Sequence, residues 1–395
     1  MDHHQEDEMD QQGIVIVGAG AAGLSAATTM RTQGYEGPIT VVNGEPHSPY
    51  NRTLVNKAVL SGLLTPQRIA QPEAQTLEAE LVQGRVTSVD TERSVVRLDE
   101  DRFLPYAALI AATGSAPRPD SRVTATSQRV FHLHTVDDAT RLHEQLRQHP
   151  NRLTVTVLGA GFIGAETASY LVGTGAHVHL VSRSTTPLAS ALGGPIAQRI
   201  TELHRAHVTT HFGRDVTALV AGPTMVTVTL SDGHTVESDL VVVAHGTHPV
   251  SAWLTGGEDG LAVDSHLRAH AHRRVYAAGS VALHAAGDGQ RYRVDHWDAA
   301  TAQGAHAARA VLHDLIDAQD PGPYIPTTGF TLALYRHAAA AYGVVAPGTH
   351  ERQHDTGTPE ATLTSFHRSD GAMTAIAGLD AFQHLFAARS QLAGP

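Results

Sequence analysis

Two short β-type runs, the wholly apolar 14–17 and 155–158 with a single threonine at 156, are each followed by three glycines at fixed offsets and then by an alanine-rich stretch. An apolar run of this length, bounded by a turn, predicts a strand buried on both faces, the kind found in parallel sheets. Apolar residues then give a helix over 24–32 and a strand over 39–42, and in the second copy a helix over 165–172 and a strand over 177–181. Further buried strands are predicted where runs 109–112, 240–244 and 275–278 end in Thr113-Gly114, His245-Gly246 and Gly279-Ser280. Alternating runs at 81–89 and 94–98, and at 208–211, 216–220 and 225–230, predict two β-meanders. A helix spans 299–315. Beyond Pro321, Pro323 and Pro326 come short strands at 331–335, 340–345, 361–366 and 373–378, then a helix over 381–392.

The glycines carry chemistry. Gly18-Ala19-Gly20-Ala21-Ala22-Gly23 and Gly159-Ala160-Gly161-Phe162-Ile163-Gly164 both fit the dinucleotide fingerprint in strand–turn–helix context. The first glycine allows the tight turn, the second lets backbone approach a pyrophosphate, and the third packs helix on strand. The free N–H groups of the helix start attract phosphate. One copy alone could be no more than a tight turn; two copies predict two dinucleotide sites. The segment after Gly246 has no fingerprint of its own, so it returns to complete the first unit. The predicted fold is α/β, with two Rossmann-like dinucleotide-binding domains, one inserted in the other, plus a small C-terminal α+β domain. The boundaries expected are a disordered acidic tail at 1–11, a first domain at 12–120 and 250–322, a second at 121–249, and a C-terminal domain at 323–395.

Composition narrows the chemistry. The net charge is −11, and five of the acids lie in the first ten residues. An acidic body argues against nucleic acid as a partner. No run approaches the roughly 20 apolar residues of a membrane span, and the acidic start is unlike a secretory signal; a cytoplasmic protein, monomer or homodimer, is expected. There is no cysteine, which removes redox disulfides, thiol peroxidases and cysteine-ligated metal. The 27 histidines include the alternating pairs His132/His134, His177/His179 and His270/His272, but they are scattered without a carboxylate pattern, and no metal site is expected. Lys57 is the only lysine against 27 arginines. A compact ammonium differs from a planar guanidinium fork, so this position is a functional candidate.

The surroundings of Lys57, from Glu45-Pro46 through Pro49-Tyr50-Asn51-Arg52 to Val55-Asn56-Lys57, resemble the FAD-dependent NAD(P)H reductases of oxygenase systems, namely the ferredoxin, putidaredoxin and rubredoxin reductases. The resemblance continues at Ala112-Thr113-Gly114-Ser115-Ala116-Pro117-Arg118, Gly161 to Glu166, Gly246-Thr247-His248-Pro249, Tyr276-Ala277-Ala278-Gly279 and Trp297, over roughly residues 13–312. It implies FAD at the first fingerprint (Gly18, Gly20, Ala22, Gly23) and NADPH or NADH at the second (Gly159, Gly161, Phe162, Ile163, Gly164). It implies that Lys57 lies beside the flavin and pairs with Glu166, and that Arg52 and Arg118 face FAD phosphates or the ring edge. Thr113, Gly114, Gly246, Gly279, His296 and Trp297 complete the implied site, with the Trp297 helix aimed at the flavin ring. Lys57, Glu166 and Trp297 are the implied catalytic residues. The implied activity is hydride transfer from NAD(P)H to FAD, then electron delivery to a ferredoxin-type iron–sulfur protein of an oxygenase system. A flavoenzyme acting directly on a small-molecule acceptor, and a degenerate nucleotide-responsive binding protein, are the alternatives.

This chain departs from the pattern at four places. The acid that should follow Gly279 and hold a ribityl hydroxyl is Ser280, which implies looser FAD and a tightening by Ser280→Asp. Only Glu45 remains near the place for a ribose-binding acid. The second βαβ ends in Val181-Ser182-Arg183-Ser184, with no acid to repel a 2′-phosphate, which favours NADPH over NADH. The C-terminal region is short and lacks the aromatic-rich opening, so its partner surface differs.

Overall fold

The computed structural model describes residues 12–71, 76–120, 122, 127–149, 153–286, 289–345 and 348–393. The acidic tail at 1–11 lies outside these residues.

The first sheet opens with β1 (Ile14–Val17), helix α1 (Ala21–Thr32), β2 (Ile39–Asn43), β3 (Glu80–Gln83) and β4 (Ala108–Ala111). A crossover strand, β5 (Ser115–Pro117), leads to the second sheet. That part holds β6 (Val130–His132), α2 (Val136–Gln148), β7 (Thr154–Leu158), α3 (Phe162–Gly173), β8 (His177–Ser182), α4 (Gly194–His207), β9 (Thr209–Phe212) and β10 (Leu240–Val243). The chain returns through β11 (Thr247–Pro249) to β12 (Val275–Ala277) and α5 (Trp297–Ile316).

Both central sheets are wholly parallel. The first has the order β12-β4-β1-β2-β3, with Val275 opposite Leu109 and Ile14 opposite Ala108. The second has the order β9-β8-β7-β10-β6. Thus a strand from beyond residue 250 completes the sheet that β1 begins. The two crossovers pair antiparallel, with Thr247 opposite Pro117. All four residues of β1 and of β4 are buried, as unbroken apolar runs require of strands covered on both faces.

The C-terminal part is a five-stranded antiparallel sheet, β13 (Gly329–Leu334), β14 (His337–Gly343), β15 (His350–His354), β16 (Thr362–His367) and β17 (Met373–Leu379), ordered β13-β14-β17-β16-β15. A helix, α6 (Phe382–Ala388), packs on it. Leu332, Leu334 and Phe366 share a core with Ala165 of α3 and Ile196 and Ile200 of α4.

Two expected meanders come apart. The run 81–89 splits at Gly84, where φ is +156°; its first half joins the parallel sheet as β3, and only 86–90 enters the meander with 95–98 and 103–105. The stretch 208–211 likewise belongs to β9, parallel to β8, and the second meander starts at Val216.

Helix starts differ in a telling way. α2 carries a capping box: Asp138 N–H donates to Thr135 Oγ1 (3.2 Å), and Thr135 N–H donates to Asp138 Oδ2 (2.9 Å). α4 receives a carboxylate from the C-terminal sheet, Glu351 Oε2 accepting from Gly194 N–H at 3.0 Å. The two fingerprint helices, α1 and α3, have no side-chain cap and no acid in the first turn. Thr135→Ala should lower stability by about 1 kcal/mol, seen as a fall of roughly 2–4 °C in Tm. An unchanged melting curve would show the box to be idle.

Candidate functional site

The two fingerprints fold alike. Gly18 has φ +114°, and a Cβ there would lie 2.3 Å from the Ala112 carbonyl oxygen; Gly159 has φ +103°, and its Cβ would lie 2.3 Å from that of Ala244. Gly23 and Gly164 sit so close that a Cβ would fall 1.8 and 1.9 Å from the carbonyl oxygens of Gly18 and Gly159. These four glycines are explained by the fold.

Gly20 and Gly161 are not. Their φ values, −81° and −75°, suit any residue, and a Cβ on either meets nothing within 4 Å. Each is the N-cap of its helix, a position where Asp, Asn or Ser is as good or better for stability. Glycine at a free, uncapped helix start leaves room for a ligand to approach the backbone, and a pyrophosphate would suit both the space and the dipole.

The first cleft is closed by α5. Gly304 of α5 packs on α1 so tightly that a Cβ would lie 2.1 Å from the Ala22 carbonyl oxygen, and Gly279 (φ +79°) would place one 3.2 Å from Ala22 Cβ. Thr113 Oγ1 donates to the Val250 carbonyl at 2.6 Å, and the Gly114 carbonyl accepts from Val250 N–H at 3.1 Å. Arg118 N–H donates to the Gly246 carbonyl at 3.0 Å, while its side chain is exposed. These bonds hold the crossovers side by side at the carboxyl edge of both sheets.

Lys57 lies on a short π-helical turn, Val55–Val59. Its Nζ is 3.1 Å from Glu166 Oε1 of α3 and donates to the Thr331 carbonyl of β13 at 3.3 Å. Glu166, only 11% exposed, also accepts from Asn56 Nδ2 (2.7 Å) and from Ala333 N–H (3.0 Å). One carboxylate therefore ties together the Lys57 turn, the second fingerprint helix and the C-terminal sheet. His296, the N-cap of α5, stands near this pair; burial pushes its pKa down, and the charge of Lys57 adds to that while Asp298 opposes it. Phe330 of β13 packs against His296 at 5.6 Å and edge-on to Phe162 at 4.5 Å between centroids. Phe162 is thus engaged with the C-terminal sheet, whereas Ile163 is 40% exposed. Trp297 opens α5 and is half-buried.

Glu45 is not free at the edge of the cleft. It pairs with Arg52 and accepts from Tyr50 OH at 2.7 Å, and Arg52 also reaches the His134 carbonyl at 3.2 Å. At the end of β8, Ser182 Oγ accepts from Ser184 N–H (3.2 Å), and Arg183 is exposed, with no ion pair among the described residues. The histidine pair at 177/179 forms an imidazole cluster: His179 Nδ1 is 3.0 Å from His211 Nε2, and burial lowers the His179 pKa to about 4. Among the described residues no group of three such side chains could hold a metal.

Asp295 was not singled out from the sequence, since an acid in a polar loop has no periodic signature. In the structure it gathers hydroxyls from three segments: Ser280, Thr247 and Ser115, the last with Oγ 3.1 and 3.2 Å from its two oxygens. Burial by itself would raise its pKa, but the bonds from Ser280 and Thr247, the Arg293 charge and the Ser115 bond outweigh it and hold the carboxyl below its ordinary value. Asn56 and β13 were missed likewise; only the nearness of Asn56 to the single lysine could have marked it.

The profile of the pyridine nucleotide-disulphide oxidoreductase family matches residues 12–304. The ferredoxin reductase component of a chlorobenzene dioxygenase from Cupriavidus sp. (strain PS12) is 28% identical over 93% of this chain and 89% of its own. The ferredoxin–NAD(+) reductase component of an anthranilate 1,2-dioxygenase system from Burkholderia cepacia is 31% identical over 77% and 76%. Among solved structures, a ferredoxin reductase for the CYP199A2 system of Rhodopseudomonas palustris superposes with a TM-score of 0.84, at 27% identity over 95% and 93% of the two chains.

Proposed function

The chain belongs to the pyridine nucleotide-disulphide oxidoreductase family, and from that premise we propose that it is an FAD-dependent reductase that takes hydride from NAD(P)H and hands electrons to a ferredoxin-type partner. The family name includes a disulphide, but this chain has no cysteine, so electrons rest on the organic cofactor. One observation carries the reading. The Lys57–Glu166 pair joins the first fingerprint's half to the second fingerprint's helix, so the reactive ends of two nucleotides, one bound at each open helix start, can meet there.

The residues present fit FAD. The open space at Gly20, the uncapped start of α1 and the close packing of Ala22 make a cradle that a side chain would fill. FAD, when bound, supplies a hydride acceptor able to release its electrons singly. The protein's part is positioning and electrostatics. Gly20 with the start of α1 binds one pyrophosphate, and Gly161 with the start of α3 binds the other. Glu166 and the Thr331 carbonyl fix the Lys57 ammonium in one place, so its donor is aimed before any ligand arrives. The start of α5 adds a positive dipole end. Phe330, Phe162 and His296 form a wall of packed rings that limits water. No described helix is long and apolar enough to cross a membrane.

The test is anaerobic mixing of the purified protein with NADH or NADPH while following the flavin spectrum. Bleaching by either donor, followed by reoxidation on adding a ferredoxin-type iron–sulfur protein, is expected. A protein that binds no FAD in equilibrium dialysis ends the proposal.

NADPH is the donor we favour, although the Burkholderia cepacia relative is named for NAD(+). The support is Ser182-Arg183 at the end of β8, where an acid would select NADH. Arg183→Ala should raise KM for NADPH about 10- to 100-fold, the range for a hydrogen bond to a charged group, and leave NADH nearly unchanged. Ser182→Glu should reverse the preference. Equal effects on both donors would show that Arg183 is only a solvated strand-end residue.

A further inference from the structure

The first cleft lacks an acid on the turn after β12, where Ser280 is 8% exposed. The polar group that does face open space at this point is Asp295, whose side chain is 37% exposed although protein surrounds it closely. It reaches the same place from the other side, from the loop that enters α5.

We infer that Asp295 is this chain's anchor for the flavin's polyol chain, a carboxylate moved from the β12 turn to the loop before α5 and held in place by Ser280, Thr247 and Ser115. The inference rests on the FAD reading of the first cleft.

Donor and acceptor accounting supports it. A hydroxyl has one hydrogen to give. Ser280 gives its hydrogen to Asp295 Oδ1, so toward the cleft it offers lone pairs only. Thr247 gives its own to Oδ2, and Arg293 approaches that oxygen at 3.5 Å while bonding the Thr247 hydroxyl at 3.0 Å. The hydroxyls that ring the carboxylate are therefore left with lone pairs to offer and no hydrogen to give. A ribityl chain is a row of hydroxyl donors, and it meets its complement there. An ionised carboxylate is the stronger acceptor for such donors, and the hydrogen bonds around Asp295 keep it ionised. The donors also come from β5, β11 and the β12 turn, so the carboxylate cannot swing away without breaking contacts to three segments.

A consequence runs against the simple expectation from sequence. An aspartate installed at 280 does not fill an empty place; it meets Asp295 within hydrogen-bond distance. Two carboxylates there repel, so the tightening expected of Ser280→Asp becomes a loss.

The experiment measures FAD affinity of the apoprotein by flavin fluorescence, with Tm of each apoprotein in parallel. Wild type must bind FAD; if it does not, the functional reading fails and the anchor with it. Asp295→Asn should weaken FAD about 10- to 100-fold, as for loss of a charged acceptor, with apoprotein Tm little changed. Ser280→Asp should also weaken it, and Ser280→Asp/Asp295→Asn should recover most of the loss, because a single carboxylate is again present. Should Asp295→Asn fail to fold, Ser280→Asp decides alone: weaker FAD supports the inference, tighter FAD overturns it. A Tm loss with unchanged FAD affinity in Asp295→Asn, or a double variant no better than the worse single one, also overturns it.

Discussion

Lys57→Met should slow reduction of the bound flavin by NAD(P)H about 100-fold, the scale on which a preorganised electrostatic donor is lost. Methionine matches the length and packing of the lysine stem, so the change removes a charge and little volume. The ammonium now lies between Glu166 Oε1 and the Thr331 carbonyl. Without it, Glu166 keeps the bonds from Asn56 and Ala333, so the wall of the site stands. Lys57 is 37% exposed, and the pair should contribute under about 1 kcal/mol to stability. Stopped-flow rates should therefore fall while FAD content and Tm hold. Lys57→Arg should not rescue, because a planar fork replaces a point donor. Glu166→Gln should slow the same step, and the double variant should be no slower than the worse single variant, since the two act as a unit. Losses that multiply would falsify that coupling.

The second large effect separates the two nucleotides. Gly20→Asp should give a colourless protein with FAD affinity down by at least about 100-fold, as a carboxylate takes the place of phosphate at the helix start. Gly161→Asp should purify yellow, bleach with dithionite, and respond to neither NADH nor NADPH. Both sites accept a side chain without strain or clash, and aspartate is a good N-cap, so folding should be unharmed or slightly improved. Ligand loss can then be read apart from unfolding. If Gly161→Asp is still reduced by NADPH at the wild-type rate, the second fingerprint is only a tight turn.

The central strands and both glycine turns were legible because buried strands are written as mostly apolar runs and glycines at crowded turns have no substitute. Partnership was not legible. Nothing local in 81–89 says that β3 joins β2 rather than the next strand, and Gly84 is the only mark of the break. α2 was missed because just Val136, Ala139 and Leu142 of its thirteen residues are buried. β15, His-Glu-Arg-Gln-His, is exposed throughout and has no apolar residue to announce it. At the site, Lys57 stood out by its rarity and the glycines by spacing. Asp295, Asn56 and the backbone of β13 act through long-range proximity, which neither spacing nor composition encodes.

β13 has a consequence for how such proteins diversify. It supplies a carbonyl to Lys57, an N–H to Glu166 and the Phe330 ring beside His296. The C-terminal segment is thus no detachable accessory. A recombination event that exchanged it would also exchange part of the surroundings of Lys57 and Glu166. On the proposed reading, a chimera with a foreign C-terminal segment is expected to need retuning at 57, 166 and 296, the three positions that β13 touches.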